Sequence, residues 1–499
     1  MTYLFGIDMG TSSLKTVLCT TSGGVVAESV RRYRFDIPAN GYAQQDPQVW
    51  WRACCEAVGE TLAKSGVAPP EVAAVAISGQ MHGTVLLDAG KNVIRPVILH
   101  CDARSALQCR AIKETLGESR LRSLVMNPIF SGFMLPSLLW VRDNEPHNYE
   151  KIAYAMLPKD YIRYKLTGTI ASEYSDASAT LLFDIGKGEW SGELLDIFSI
   201  HPGILPKVYE STEIAGAVTG AAADATGLAP GTPLVYGGGD QIMQAIGNGV
   251  IADGMATVNI GSSGQVCFPS DEMKVNPAVT SNLFCGYRKN QWISMAATMS
   301  AGLSLAWWNN LVAPTDWKDL DAEVEKIPPG SGGLLFLPYL GGERSPHLNP
   351  DLSGSFVGLT HGTTHHKMTR AVMEGVTFAL YDCVNICTEM GLKAEYMVAS
   401  GGGANSAPWL KMQADIFNVP LKIAQNHEQA ALGAAITAGV GCGVFKDIRE
   451  GCDAMVRYKD RIIEPDAKNH ETYLEYYGLF KAAFATQKDV IEKLTRLGR

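Results

Sequence analysis

The feature that most limits how this 499-residue chain can fold is a turn written twice. The chain opens LFGIDMGTSSLKTVLCT, and its second half begins TVNIGSSGQVCF. Each copy is an apolar run, a turn of glycine and hydroxyl residues, and a return run with strand character. One copy alone reads as a tight hairpin, because small residues suit such turns for purely local reasons. A pair, one at the head of each half, predicts two related α/β units. Length points the same way, since 499 residues exceed one ordinary core.

The rest of the chain alternates strands and helices in both halves. In the first, LFGID, LKTVLCT and VVAESVRRYRF read as a three-strand meander. Asp46-Pro47 caps and opens a helix, Gly66 ends it, and VAAVAIS (72–78) is a wholly apolar strand of the buried, parallel kind. Its end delivers SGQMHG, and strand ends in such sheets are where ligands bind. In the second half GLLFLPYL (333–340) reads as a strand, HKMTRAVMEGVTFALYDCVNICTEMG as a long helix ended by Gly391, and YMVASGGGAN as a strand entering a glycine turn before the helix APWLKMQADIF. The hinge between halves falls near 240–256.

Composition excludes several classes of protein. A hydrophobic share of 46% and a charged share of 19% describe a globular chain with large buried surfaces. A net charge of −9 argues against a nucleic-acid partner. It does not forbid an anionic ligand, which backbone amides and a cation can hold. Eleven cysteines without a CxxC pair, two of them adjacent (Cys54 and Cys55), suit reduced thiols in the cytoplasm. No signal-peptide pattern and no 18-residue apolar run predict neither export nor a membrane span.

The paired turns suit phosphate oxygens, because glycine uncovers backbone N–H groups and serine or threonine adds hydroxyls beside them. Asp8 ends a strand next to the first turn, where a carboxylate is tolerable if Mg²⁺ intervenes. Lys15 adds positive charge nearby or is an ordinary solvated strand residue. Asp240 follows three glycines in GGGDQ; it reads as a helix N-cap or, between two phosphate turns, as a base. His361 and His365 have HxxxH spacing, but no acidic partner supports a metal site.

DMGTSSLK, SGQMHG, GGGDQ, NIGSSG, PYLGGERSPHLNPDLSGSFVGL and SGGGAN occur in this order over nearly the whole chain. That series resembles the FGGY family of carbohydrate kinases, within the actin-like, ribonuclease-H-like ATPase fold. The resemblance implies two such domains, 1–245 and 246–499, with a catalytic cleft between them. The first would bind the sugar and carry the base; the second would bind the nucleotide and end in helices. It implies ATP and Mg²⁺ as cofactors, a small-molecule sugar as substrate, and Asp240 as the catalytic base. Met81, His82 and Gly83 would contact the sugar, with Asp102, Arg104 and Gln241 nearby. Asp8, Gly10, Thr11, Ser12 and Lys15 would face the phosphates together with Gly261, Ser262 and Ser263, Asp8 also holding the metal. Gly302, Gly402, Gly403, Asn405 and Ser406 would lie against the nucleotide. The MHG of residues 81–83 looks most like the branch acting on D-xylulose. His100 and Cys101, however, replace the Trp and Asn usual in that loop, which leaves L-ribulose, L-xylulose, L-fuculose, gluconate and polyols open. An actin- or chaperone-like ATPase without a sugar acceptor is the rival class. The sequence leaves a homodimer open.

Overall fold

The computed structural model describes residues 1–312 and 315–498. The opening strand β1 (Tyr3–Met9) is buried along most of its length, because layers cover both faces of its sheet. It pairs antiparallel with β2 (Ser13–Thr20), which pairs antiparallel with β3 (Val25–Arg32). On its other side β1 is parallel to β4 (Val72–Gly79). Strand β5 (Ile214–Ala217) lies antiparallel on β6 (Pro233–Gly239), and β6 is parallel to β4. The sheet order is β5-β6-β4-β1-β2-β3.

The second sheet repeats this plan. Its strands are β7 (Gly254–Ile260), β8 (Gly264–Ser270), β9 (Asn282–Cys285), β10 (Trp292–Thr298), β11 (Ala394–Ser400) and β12 (Leu421–Ile423), ordered β9-β10-β8-β7-β11-β12. Strands β7, β8 and β10 are antiparallel neighbours, while β7, β11 and β12 run parallel. Five strands of each sheet therefore match in order and direction. Only the sixth differs: β5 extends the parallel end of the first sheet, and β9 the antiparallel end of the second.

Local chemistry sets the helix ends. Helix α1 (Pro47–Ser65) starts where Asp46 accepts the Gln48 amide at 2.9 Å and stops at Gly66, whose φ is 65°. Helix α2 (Asp240–Gly247) continues directly from β6, and α3 (Gly302–Val312) follows β10. The long α4 (His365–Glu389) is buried on nearly all sides, including Cys383 and Cys387. Beyond it come α5 (Ala407–Phe417), α6 (Gln429–Gly441) and α7 (Ala467–Gly498). The strand expected over 333–340 shrinks to Leu335–Leu337, paired with Ser355–Val357 in a separate ribbon. Pro338 cannot donate to a ladder, and the chain turns away there.

Helix α6 belongs to the second half by sequence but packs on the first sheet, against β1, β4 and α2. Leu4, Ala76 and Val235 of that sheet share one apolar core with Leu432, Ala435 and Ile436. Backbones touch along this seam. A methyl on Gly6, Gly247 or Gly433 would overlap a carbonyl of Ala431, Gln429 or Met243, respectively. All eleven cysteines are free thiols. No helix among the described residues is long and apolar enough to cross a membrane.

Candidate active site

Strand register brings the two carboxylates together. Asp8, Ser78 and Gly238 lie side by side on β1, β4 and β6, and Met9, Gly79 and Gly239 form the next rank. Asp240 is the first residue beyond that rank. Two strand spacings, about 10 Å, separate the backbones of β1 and β6, so both side chains can reach one gap. Ser78 Oγ donates to Asp8 Oδ1 at 2.8 Å. Burial holds the Asp8 carboxyl above its ordinary range, opposed by Ser78 and Lys15. Burial, and then the neighbouring Asp8 charge, push Asp240 up to about 7.

The first turn is strapped from within its own half. Gly10 donates to Ser13 O at 2.9 Å, and the Gly10 carbonyl accepts Tyr33 OH at 2.7 Å and Gln80 Nε2 at 3.4 Å. Thr11 Oγ1 donates to Gln80 Oε1 at 3.2 Å, and Ser12 is exposed. Lys15 does not stand free beside the turn. Its Nζ lies 2.7 Å from Glu428 Oε2, immediately before α6, so the pair ties the two halves together.

The second turn is built mostly from backbone. Gly261 donates to Ser263 O at 3.0 Å, and Ser262 O accepts the Ala301 and Leu303 amides at 2.9 and 3.1 Å. Gly302 donates to Gly261 O at 2.9 Å, and a Cβ on Gly302 would overlap that oxygen. Gly401 has a φ of 76°; a Cβ there would come within 2.6 Å of Asn259 Oδ1, and one on Gly403 within 2.6 Å of Ile260 Cβ. Gly302 and the 401–403 turn are thus brought against the Gly261 hairpin. Gly402 and Asn405 are exposed. Ser406 instead serves helix α5, accepting the Trp409 amide at 3.3 Å and donating to Asp321 Oδ1 at 2.7 Å.

One residue with no distinctive motif connects this turn to Asp240. Gln265 on β8 donates from Nε2 to Gln241 Oε1 and, at 3.3 Å, to Gln244 Oε1. Gln241 Nε2 in turn donates to Asp240 Oδ1 at 3.2 Å. The available signal was a lone amide in the otherwise apolar return run after GSSG.

The MHG segment supplies the opposite wall. Met81 is buried under Gly239, where an added Cβ would sit 2.8 Å from its Sδ. Gly83 lies close to Pro158, 2.9 Å from an added Cβ to Pro158 Cγ. His82 has a left-handed φ of 75° and stacks on Phe133 with centroids 3.7 Å apart and planes 7° apart. Phe284, on β9 of the second half, lies 5.9 Å from the same ring. His82 Nδ1 is 2.9 Å from Ala179 O. A carbonyl only accepts, so the ring proton is on Nδ1 and Nε2 is left as an acceptor. Burial pushes His82 down to about 3, which keeps it neutral.

Asp102 and Arg104 use their polar atoms on each other. Arg104 Nη2 lies 2.8 Å from Asp102 Oδ2, with side-chain exposures of 2% and 0%. Asp102 also accepts the Ala43 amide at 2.6 Å, and Arg104 lies over Tyr42 and Trp140. The pair is a buried strut that fixes the loop bearing His100 and Cys101. Burial lowers His100 to about 4, and the charge of Arg344, from GGERSPH in the second half, adds to this at both His100 and His82. Sequence reasoning singled out none of Phe133, Phe284, Gln265 and Arg344, because each reaches the site only through tertiary packing.

No group of three or more His, Cys, Asp or Glu among the described residues could cage a metal. A single carboxylate such as Asp8 fits only the other kind of site, in which Mg²⁺ would keep waters and substrate phosphates as its remaining ligands.

Known proteins identify this architecture. The N-terminal domain of the FGGY family of carbohydrate kinases matches residues 3–247, and its C-terminal domain matches residues 256–442. The chain belongs to the FGGY family of carbohydrate kinases. It is 36% identical over 491 residues to the xylulose kinase of Bacillus subtilis, covering 98% of each chain. The ligand-bound xylulose kinase of Lactobacillus acidophilus superposes with a TM-score of 0.94 at 26% identity, covering 99% of this chain and 100% of that one. A gluconate kinase of the same organism gives the same score and identity over 99% of each chain. As an FGGY kinase the chain has the two-unit actin-like fold that its repeated sheets display.

Proposed function

We propose that this kinase transfers the γ-phosphoryl group of ATP to D-xylulose, giving D-xylulose 5-phosphate and ADP, with Asp240 as general base. The observation carrying the chemistry is the Asp240 carboxylate, held beside Asp8 and between the two turns, with a pKa of about 7. At that value it is ionised often enough to accept a proton and basic enough to draw one from a reacting hydroxyl. The choice of sugar rests on the xylulose kinases at 34–37% identity.

In this reading the sugar lies between Met81 and His82, with His82 Nε2 accepting from a hydroxyl and Gln241 orienting the group beside Asp240. The 5-hydroxyl oxygen attacks the γ-phosphorus, its proton passes to Asp240, and ADP leaves with the bridging oxygen. The turns Gly10–Ser12 and Gly261–Ser263 face the phosphates and hold their oxygens through the amides and hydroxyls not already engaged within each turn, and Gly302 and the 402–405 turn lie along the nucleoside. Asp8 would hold Mg²⁺, which when bound neutralises phosphate charge. The unpaired thiols suit a reducing compartment, and we place the enzyme in the cytoplasm.

The gluconate kinase match makes sugar choice the point to test. A panel of ketoses, polyols and gluconate with ADP release as readout should give D-xylulose the highest kcat/KM. A higher value for another acceptor overturns the sugar assignment and leaves the phosphoryl-transfer machinery standing.

A further inference from the structure

Beneath Asp240 lies a group of charges that the phosphoryl-transfer reading does not use. Lys159 Nζ lies 3.2 Å from Asp160 Oδ1, 3.3 Å from Asp176 Oδ2 and 3.6 Å from Glu173 Oε1, and all four side chains have 0% exposure. Arg163, equally buried, lies 2.8 Å from Asp160. Burying ions this way is expensive unless they are paired and hydrogen-bonded. Here two cations face three carboxylates. Burial holds the Asp176 carboxyl well above its ordinary range, opposed by the Lys159 charge beside it.

The network does more than pin the fold, because it ends on the catalytic strand. Glu173 accepts Ser175 N and Ser175 Oγ at 2.8 and 2.7 Å and Ser211 Oγ at 3.1 Å. Ser175 Oγ in turn accepts the Gly239 amide at 2.9 Å, and Ser211 O accepts the Gly237 amide at 3.0 Å. Gly237 lies within the irregularity where β6 shifts register against β4, between Val235 and Gly238, and Gly239 lies just beyond it, so these two bonds supplement the ladder where it is broken. Gly237 has a φ of 71° there. On its other side Gly239 is closed off by Met81. The residue after this clamped glycine is Asp240.

We infer that Ser175, backed by Glu173 and Lys159, is the positioning residue that fixes the Asp240 carboxylate against the acceptor hydroxyl. A saturated carboxylate on a buried cation is rigid, and a hydroxyl donating to it is a correspondingly firm acceptor for Gly239. The inference rests on the reading of Asp240 as the base. Loosening Gly239 lets the Asp240 side chain swing away from the acceptor hydroxyl, which slows transfer while the substrate contacts made by other residues stay in place.

Ser175→Cys keeps the shape and nearly removes the hydrogen bond, and Ser175→Ala removes it fully. Steady-state kinetics of both should show kcat down about 3- to 10-fold, with KM for sugar and ATP within about twofold of wild type. A variant that loses thermal stability but keeps wild-type kcat per folded molecule overturns the inference, because that is what a purely structural pin would do. Asp240→Asn, run in parallel, separates the two claims. If it keeps wild-type kcat, the base assignment fails; if it is inactive while both Ser175 variants behave as wild type, only the positioning claim fails.

Discussion

The two hairpin turns have the same ancestry in pattern but different chemistry. In matched position Asp8 precedes the first turn and Asn259 the second. Asp8 faces the gap shared with Asp240, takes one hydrogen bond from Ser78, and is raised by burial. Asn259 instead packs its Oδ1 against Gly401, supporting the glycine turn that lies along the hairpin. Side chains strap the first turn, while backbone amides from the start of α3 cross the second. The repeated sheet therefore carries one turn beside a pair of buried carboxylates and one crossed by backbone amides and closed in by glycines.

Removing the proposed base, Asp240, should have the largest effect on this division. Asp240→Ala is expected to lower kcat by roughly 10²–10⁴-fold, with binding of both substrates, read by calorimetry, little changed. Converting the first turn toward the second with Asp8→Asn should cost about 10–100-fold in activity. Unlike the loss at Asp240, this one should recover in part as Mg²⁺ is titrated upward; a loss insensitive to Mg²⁺ would remove the metal from Asp8. Gly302→Ala acts on the other turn, forcing a methyl into the Gly261 carbonyl. It should raise KM for ATP by about 10-fold, a penalty of the size overpacking brings, and leave KM for the sugar alone.

The smallest effect concerns pH. Burial and the Asp8 charge raise Asp240 from an ordinary aspartate value of 3.8 to about 7 in the folded state. Activity should therefore rise with pH through about 7 with unit slope in log kcat. Stability runs the other way: the native state holds this proton more tightly than the unfolded chain, so stability is lost as pH rises from about 4 to 7. Asp240→Asn should then melt about 1–3 °C above wild type at pH 8 and match it at pH 4, in paired thermal scans. An equal melting temperature at pH 8 would mean the carboxylate is not strained by its surroundings.

Much of the frame was legible because its signals are local. Asp46-Pro47 opens α1, Gly66 and Gly391 end helices in left-handed conformations, and both glycine-hydroxyl runs are hairpin turns. The candidate site was legible only as far as its motifs reached. The sequence places Asp102 and Arg104 near the sugar loop, but their pairing depends on Ala43, Tyr42 and Trp140, brought in by packing. Ser406 was read for its motif, yet the plainer rule that a serine before a helix caps it describes its contacts. Gln265, Phe133, Phe284 and the Lys15–Glu428 pair arise from contacts between distant segments, which no local pattern encodes.

The seam at α6 has a consequence for anyone dividing the gene. A cut near residue 250 falls cleanly between the repeated units, but it strips the first sheet of the helix that roofs Leu4, Ala76 and Val235. A fragment ending there would present a bare greasy face and bind its missing piece or itself. Supplied as two polypeptides in one cell, the pieces should reassemble by handing that helix back, which makes this protein a natural candidate for a split-enzyme reporter.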